Sequence, residues 1–486
     1  MIARRVAVIG GGPGGLMLTH LLNQVPSCEC TIFEASSRLG GKIVTRQFAS
    51  APVRYEAGAA ELYDYSQIGP DPLRELVAEL GLPTRPMIGS AVILDGRIVR
   101  TLADVRREFG DATHDALKSF RRKARNAISP QEYYDSDWKE DNADPMARRQ
   151  FHTLLQTVPD ETARRLIQVT IHSDLATEPH QTNAAYGLQN FLMNEPGYMR
   201  LYTVDGGIER IPQELAKRIS ARVRLNHRVA QVEKTEDNRY RVISRSGTET
   251  SSEVFDFVVA ALPNNWLPSV DWAGPVLSNA MHRHHAHYDY PAHYLRVSIL
   301  FRKPFWRNYL PDGYFMLDAF GGCCVYDETS RGVTHEYGVL GWLIGGEAAL
   351  NLNNLDDATL TKQMLDSLPD FLQHGRDDMM ESRVHRWIGS VNGLPGGRPM
   401  LDPDVRHQPE PTEHPGLFVI GDYLFDSTLN GVLDSAELVA DWIAEEIAEI
   451  QAAGTTGPNN IIAPAKPVEL PKGNPRLPSD LQIISK

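Results

Sequence analysis

Three glycines near the start of the chain have the spacing of a nucleotide-binding loop. Gly10, Gly12 and Gly15 fit the pattern G-x-G-x-x-G, and Glu34 follows at the distance of the usual acidic partner. Glycine lets the backbone turn tightly and approach a pyrophosphate, which the N-terminus of the next helix stabilises. The Glu34 carboxylate is placed to accept hydrogen bonds from ribose hydroxyls. The spacing therefore predicts a dinucleotide site, and it leaves NAD and FAD both open.

The elements that must position this loop can be read from the residues around it. The apolar run Val6–Ile9 is typical of a buried parallel strand, and Leu16, Leu18 and Leu22 give the next segment an apolar helical face. Residues 31–34 form a second strand that ends at the acidic residue. Strand, glycine turn, helix and strand predict a Rossmann-like α/β domain.

A second glycine pair, flanked by cations, follows in the segment Arg38-Leu-Gly-Gly-Lys42. It resembles the flavin-containing amine oxidoreductase superfamily, which includes monoamine, polyamine and L-amino acid oxidases. The resemblance favours FAD over NAD, because the glycine pair can approach a second part of a long, doubly phosphorylated cofactor. The FAD-binding residues implied in this first segment are Gly10, Gly12, Pro13, Gly14, Gly15, Glu34, Ala35, Arg38, Gly40, Gly41 and Lys42.

The segment 416–432 resembles the C-terminal flavin motif of the same superfamily. It reads as a strand, a Gly-Asp turn and the start of an amphipathic helix. The resemblance implies that Asp422 bonds the ribityl or pyrophosphate side of FAD and that the Gly431 and Val432 amides meet the flavin ring. A helix N-terminus there would stabilise the anion of reduced flavin. Residues elsewhere that the resemblance adds to the cofactor site are Gly58, Ala59, Val229, Gly421 and Asn430.

The strand-like segment 295–306 is similar to the strand of monoamine and polyamine oxidases whose lysine holds a water against flavin N5. Arg296 occupies that lysine position here. An arginine keeps its proton and offers a planar fork to carboxylates, so we expect Arg296 nearest N5 and, with it, an anionic substrate.

Further pocket walls are expected from the same resemblance. Tyr423, Trp387 and Glu61 are the candidates, with Trp387 opening a turn-rich loop over the flavin. Thr428 stands where the family has a cage tyrosine, and residues 388–399 contain no cysteine to bond a flavin. FAD is therefore expected to bind non-covalently.

Composition excludes several other classes of function. The chain has 486 residues and a net charge of −13, which disfavours nucleic acid as a partner. The four cysteines form no disulfide framework, no apolar run could span a membrane, and a cytoplasmic location is expected.

The histidines within residues 282–287 include a pair with metal-ligand spacing, but a polar helix face or a lining of the substrate domain is the better interpretation, so no metal is expected. A homodimer is left open.

The motifs imply two interleaved domains. Residues 1–85, 203–263 and 411–450 are assigned to the FAD-binding domain, and residues 86–202 and 264–410 to a mixed-sheet and helical substrate domain. Residues 181–193 have helical spacing that is typical of ordinary core. The proline-rich residues 451–486 are expected to form an extended or disordered tail.

The leading hypothesis is an FAD-dependent oxidoreductase that oxidises the C–N bond of an amine or amino acid by hydride transfer to flavin N5. Dioxygen would then accept the electrons and give H2O2, although an oxidase, a dehydrogenase and a monooxygenase outcome all stay open. The first alternative is a C–C desaturase or dehydrogenase related to phytoene desaturase or protoporphyrinogen oxidase, which the missing lysine and cage aromatics favour somewhat. A non-catalytic FAD-binding protein is the minor alternative.

Overall fold

The computed structural model describes residues 3–135, 145–331 and 336–455. The strands are β1 Arg4–Ile9, β2 Cys28–Phe33, β3 Thr45–Gln47, β4 Arg54–Glu56, β5 Leu62–Asp64, β6 Thr84–Met87, β7 Ala91–Leu94, β8 Arg97–Val99, β9 Arg200–Val204, β10 Arg222–Arg224, β11 Arg228–Lys234, β12 Tyr240–Ser246, β13 Glu249–Phe255, β14 Phe257–Ala260, β15 Asp271–Trp272, β16 Pro291–Phe301, β17 Tyr314–Leu317, β18 Cys323–Asp327, β19 Gly338–Gly345, β20 Met379–Asn392 and β21 Leu417–Val419. The helices are α1 Pro13–Leu22, α2 Pro72–Glu79, α3 Leu102–Phe109, α4 Asp111–Ala127, α5 Pro130–Asp135, α6 Pro145–Arg148, α7 Phe151–Leu155, α8 Glu161–Leu175, α9 Ala184–Leu192, α10 Arg210–Arg218, α11 Pro275–His287, α12 Gly346–Leu352, α13 Asp357–Ser367, α14 Pro403–His407 and α15 Leu429–Thr455.

A five-stranded parallel sheet carries the glycine loop. Its strand order is β10-β2-β1-β14-β21, and every neighbouring pair in it is parallel. Both faces are covered, which is why its strands are continuous apolar runs. One face packs against α1 and α15, with Leu16, Val439 and Ile443 in the shared core. The predicted strand–helix–strand unit is confirmed, and the sheet joins segments that are more than 380 residues apart in the chain.

A seven-stranded sheet forms the second large layer, in the order β20-β16-β19-β18-β17-β7-β8. β16 lies next to the edge strand β20 and pairs antiparallel with both β19 and β20. Its alternating apolar residues Leu295, Val297 and Ile299 are fully buried in a core of their own. This strand carries Arg296, whose neighbours across the sheet are Leu343 and His385.

The structure of the segment after Trp387 differs from the one predicted from the sequence. It was expected to be a loop, but β20 continues to Asn392 and pairs with β16 as far as Pro291. The turn-forming Gly389 is accommodated at φ 63° beside an irregularity in the register, so the strand bends instead of ending.

Residues 86–202 are largely helical, as expected. The hairpin β7–β8 turns at Asp95 and Gly96, which both have positive φ, and helices α3–α9 follow. All nine residues of α9 are buried, which confirms the interpretation of this helix as core. Of the expected helical stretch, residues 136–144 lie outside the described residues.

Three smaller sheets complete the fold. β11 pairs antiparallel with β12 and parallel with β15, while β5-β9-β6 and β3-β4 form the other two. α15 extends to Thr455 and so includes the first residues of the predicted tail, and the rest of that tail, residues 456–486, lies outside the described residues. The division into two domains stays a prediction.

Candidate active site

The glycine loop borders a cavity of about 500 Å³ at the carboxyl ends of β1, β2, β14 and β21, which we call the nucleotide cavity. This is the edge of a parallel sheet at which nucleotides bind in open α/β folds. Twelve of the predicted cofactor residues line the cavity. They are Gly10, Gly12, Pro13, Gly14, Glu34, Ala35, Gly41, Lys42, Val229, Gly421, Asp422 and Val432.

Close packing explains why the loop needs glycine at its two ends. A Cβ on Gly15 would lie 2.1 Å from the Gly10 carbonyl oxygen, and a Cβ on Gly10 would lie 2.4 Å from the Ala261 carbonyl oxygen. Gly12 differs, because its nearest neighbour would be the Gly41 Cα at 3.9 Å. Gly10 and Gly15 therefore fix the turn, whereas Gly12 leaves the cavity open.

Glu34 holds the loop through both carboxylate oxygens. It accepts hydrogen bonds from the Gly11 and Ser36 amides, each at 2.8 Å. Arg38 and Gly40 do not line the cavity but secure the second glycine pair. Arg38 donates to the Ile43 carbonyl at 3.3 Å, and the Gly40 amide donates to the Gly11 carbonyl at 2.8 Å.

Lys42 lies where the nucleotide cavity meets a second cavity. Its ammonium donates to the Ser390 carbonyl at 2.6 Å and to Asp422 at 3.0 Å. The second cavity has a volume of about 170 Å³ and shares Pro13, Lys42, Asp422 and Val432 with the first. The two cavities thus form a cleft that runs from the glycine loop toward β16.

Aromatic side chains and a carboxyl group dominate the second cavity. The residues in its wall include Gly58, Ala59, Glu61, Tyr63, Tyr294, Arg296, Tyr326, Trp387 and Thr428. Trp387 donates its indole N–H to the Ala57 carbonyl at 2.7 Å, which fixes the ring. Asn430 and Gly431, also predicted cofactor residues, lie instead in the first turn of α15, where Asn430 donates to Asp71 at 3.3 Å.

Asp422 in this cavity is paired with Lys42, and the other acidic residue of its wall is Glu61. It accepts a 2.7 Å hydrogen bond from the Tyr326 hydroxyl. Burial raises the pKa of the Glu61 carboxyl above its usual range, although Tyr326, Arg331 and Arg296 oppose the shift. Asp174 on α8 is close enough that burial and the Glu61 charge together raise its pKa well above normal. Ionisation of Glu61 therefore disfavours ionisation of Asp174.

Arg296 is completely buried, and its guanidinium already has a carboxylate partner in the protein. Its guanidinium donates to the Glu56 carbonyl and forms an ion pair with Glu328. Arg331 shares Glu328, at 3.3 Å, so one carboxylate serves two arginines. This pairing contradicts the expectation that Arg296 marks an anionic substrate, because its carboxylate partner comes from the protein itself. Arg296 Nη1 has no hydrogen-bond partner among the described residues.

Tyr423 requires a second correction, because it lines neither cavity. Its side chain is 1% exposed and lies in the core between the parallel sheet and α11, where its hydroxyl is 3.2 Å from His284 Nε2. Only the backbone neighbours Gly421 and Asp422 reach the cleft. His284 is therefore a core residue. Separately, no group of three or more histidine, cysteine or acidic side chains among the described residues could hold a metal ion.

Sequence reasoning missed the aromatic side chains Tyr63, Tyr294 and Tyr326 and the acidic Asp174 and Glu328. They come from separate segments, and none belongs to a motif. Tyr294 offered one signal, since it lies two residues before Arg296 on an alternating strand and so shares its face.

The residues of the cleft fit a flavin dinucleotide. Glycine-rich segments and Glu34 line one end, and Arg296, whose Nη1 has no hydrogen-bond partner among the described residues, lines the other end. Among the described residues, no helix has both the length and the apolar character needed to cross a membrane.

Comparisons with known proteins agree with this fit. Residues 13–444 match the family described as flavin containing amine oxidoreductase. Flavin-dependent L-tryptophan oxidase RebO of Lentzea aerocolonigenes is 23% identical over 343 residues, 66% of this chain and 69% of that protein. Protoporphyrinogen oxidase of Saccharomyces cerevisiae is 40% identical over 62 residues, 12% of each chain.

Among solved structures, wild-type putrescine oxidase bound to putrescine superposes with a TM-score of 0.72 at 21% identity. The alignment covers 92% of this chain and 99% of that one, so the two proteins share a fold over the aligned residues. Because the family match spans most of its length, this chain belongs to the flavin-containing amine oxidoreductases and is a flavin-dependent oxidoreductase.

Proposed function

We propose that the protein binds FAD non-covalently and oxidises the C–N bond of an amine that carries a positive charge. The single observation that carries this proposal is the second cavity, in which Glu61 lies among tyrosines beside Arg296. Its aromatic walls suit the carbon chain of an amine, and its carboxyl suits the ammonium group. No cysteine lines either cavity, which supports non-covalent binding.

The residues of the chain would bind, orient and deprotonate the substrate. Tyr63, Tyr294 and Trp387 would hold the carbon chain beside the ring and exclude water. Glu61 would attract the ammonium, and its raised pKa makes it a stronger proton acceptor than an ordinary glutamate. Arg296, held by Glu328, would face the ring edge with its free Nη1.

The chemistry that FAD supplies when bound is acceptance of a hydride from the carbon next to the amine nitrogen, followed by reoxidation by dioxygen with release of hydrogen peroxide. The imine product would be hydrolysed by water.

A substrate panel under nitrogen tests the proposal. Putrescine, an aliphatic monoamine and L-tryptophan are each added to the yellow protein, and loss of the long-wavelength flavin absorbance is followed. We expect bleaching by an amine and, on admission of air, peroxide. Flavin released by denaturant should be intact FAD, whereas flavin that stays on the denatured chain would contradict non-covalent binding.

Oxidation of a C–C bond is the second candidate function. Two departures in the second cavity favour it, namely Arg296 in place of the family's lysine and Thr428 in place of a tyrosine, and both line the wall. The local similarity to protoporphyrinogen oxidase points the same way. If a porphyrinogen or a polyene bleaches the flavin and no amine or amino acid does, this second function replaces the first.

A further inference from the structure

A third cavity, of about 340 Å³, lies outside the flavin cleft. It shares no lining residue with the nucleotide cavity or the second cavity. Its walls come from the hairpin β3–β4, the turn after β9 and the short helical turn after β18. Neither the glycine motifs nor the proposed oxidation gives this space a role, although its volume is within the range of small-molecule sites.

Arginines are concentrated around the third cavity. Arg54, Arg85 and Arg331 line it, and Arg296 lies directly behind Glu328. A guanidinium presents its donors as a planar fork that matches carboxylate and phosphate oxygens.

Three carboxyl groups line the third cavity together with its three guanidinium groups, and Arg296 draws on one of these carboxyls from outside the cavity. Asp205 is paired with Arg85, and Glu328 is divided between two arginines. The remaining acid, Glu56, is 2% exposed and accepts bonds from the Ile208 amide at 2.9 Å and the Thr45 hydroxyl at 2.8 Å. Burial is the largest cause that raises the pKa of Glu56, to about 7. Positive charge is therefore in excess.

Some guanidinium N–H donors around the third cavity also lack an acidic partner. Arg54 is exposed and bonds a neutral acceptor, the Gly206 carbonyl, at 2.9 Å. Arg331 is 7% exposed, yet its Nε and Nη2 have no hydrogen-bond partner among the described residues. Its guanidinium lies 4.7 Å from the centre of the Tyr326 ring, which stabilises the charge without accepting a conventional hydrogen bond. Buried donors of this kind are costly unless a ligand or water satisfies them.

We infer that the third cavity is a second ligand site, which binds a small anion bearing carboxylate or phosphate groups between Arg54, Arg85 and Arg331. Such a ligand would supply the acceptors that the wall lacks and neutralise its excess charge. The site is distinct from the flavin cleft, so it is a place for an effector or a second reactant rather than for the amine.

Isothermal titration of the flavin-saturated protein tests this site, with inorganic phosphate and succinate as probes. Saturation with flavin keeps the probes out of the glycine loop, and potassium chloride holds the ionic strength constant. We expect saturable binding of at least one probe with one site per chain. Arg54→Gln should weaken it by about tenfold or more, because a charge-assisted bond is lost.

Arg245→Gln is the matched control, since Arg245 is an exposed arginine on β12 that does not line the cavity. It should leave binding unchanged, and Arg85→Gln should weaken it as Arg54→Gln does. If neither probe binds beyond the chloride background, or if both cavity variants bind as tightly as Arg245→Gln, the inference is wrong. Circular dichroism of each variant verifies that it is folded.

Discussion

The two ends of the flavin cleft are built in different ways. At the nucleotide end, backbone groups from short, contiguous segments form the surface. Gly10 and Gly15 are required there because an added Cβ would lie 2.4 Å and 2.1 Å, respectively, from a backbone carbonyl oxygen. At the other end, the proposed substrate end, the surface consists of side chains from separate segments, such as Glu61, Tyr294 and Tyr326. At the first end, the surrounding backbone therefore restricts Gly10 and Gly15 to glycine. The shape and charge of the second end depend on individual side chains.

The largest effect is expected from Glu328→Gln, which tests whether charge pairing holds the substrate end together. The change leaves Arg296 and Arg331 buried without their shared carboxylate. Removing one partner of a buried pair costs about 3–5 kcal/mol, so the urea midpoint should fall accordingly. Glu233→Gln, which breaks an exposed pair with Arg241, should change stability by less than about 0.5 kcal/mol. If both variants lose equally little stability, the ion pairs of Glu328 do not stabilise this end of the cleft.

Gly15→Ala tests the nucleotide end. Its methyl group would meet the Gly10 carbonyl oxygen, so we expect a loss of about 3 kcal/mol in stability and loss of the yellow colour. Gly12→Ala has room in the empty loop but projects into the cavity, and it should weaken FAD binding with little loss of stability in the flavin-free protein. Thermal unfolding and flavin titration measure both. A stable, flavin-binding Gly15→Ala would refute the steric argument.

Glu61→Gln tests the substrate end in turn. Binding of a cationic amine should weaken by about 10- to 100-fold, because the amide keeps the shape and loses the charge. Since the Glu61 pKa is raised, wild-type amine affinity should increase as pH rises through that pKa, and the variant should lack this dependence. FAD content should not change. Glu75→Gln, on the exposed face of α2, is the control. Unaltered amine affinity in Glu61→Gln would show that the carboxyl does not contact the substrate.

His284 tests the core beneath the cleft. Burial lowers its pKa to about 3, below the 6.5 of an exposed histidine, so between these values the unfolded chain binds a proton that the folded chain does not. Stability from this residue is complete above pH 6.5 and declines by about 1.4 kcal/mol per pH unit as pH falls. His284→Gln should reduce that slope, measured by urea unfolding between pH 5 and 7. Exposed His282→Gln should not, and identical slopes would contradict the burial argument.

The smallest effect is expected from Tyr423→Phe. Because its hydroxyl bonds His284 in the core and not a substrate, the loss should be about 1 kcal/mol of stability with turnover unchanged. Tyr326→Phe, which removes the bond to Glu61, should instead alter turnover. A turnover defect in Tyr423→Phe would restore this residue to the pocket wall.

The sequence predicted the nucleotide end because its information is local. Gly10, Gly15 and Glu34 act through turn geometry and backbone contact over a few residues, and the distances between them in the chain fix the shape. The substrate end could not be predicted in this way. Tyr63, Asp174 and Tyr326 meet only after three distant segments have folded together, and no spacing rule links them.

Two errors have the same origin. Tyr423 follows the Gly421-Asp422 turn, but the sequence does not show which side of the chain its ring takes, and packing against His284 and Tyr288 decides it. For Arg296 the sequence suggests an anionic substrate as the partner, because Glu328, its partner in the protein, is 32 residues away on a different element. Local pattern identified the residue, and long-range pairing determined its charge balance.

Anaerobic reduction of the wild-type protein and Glu61→Gln by putrescine is the most direct test of the central claim, that an acidic aromatic cavity presents an amine to the flavin. We predict rapid bleaching of the wild-type flavin and bleaching of Glu61→Gln that needs about 10- to 100-fold more amine. The claim is contradicted if neither putrescine nor any other amine bleaches the wild-type flavin. It is also contradicted if the wild-type protein and Glu61→Gln respond to the same amine concentration.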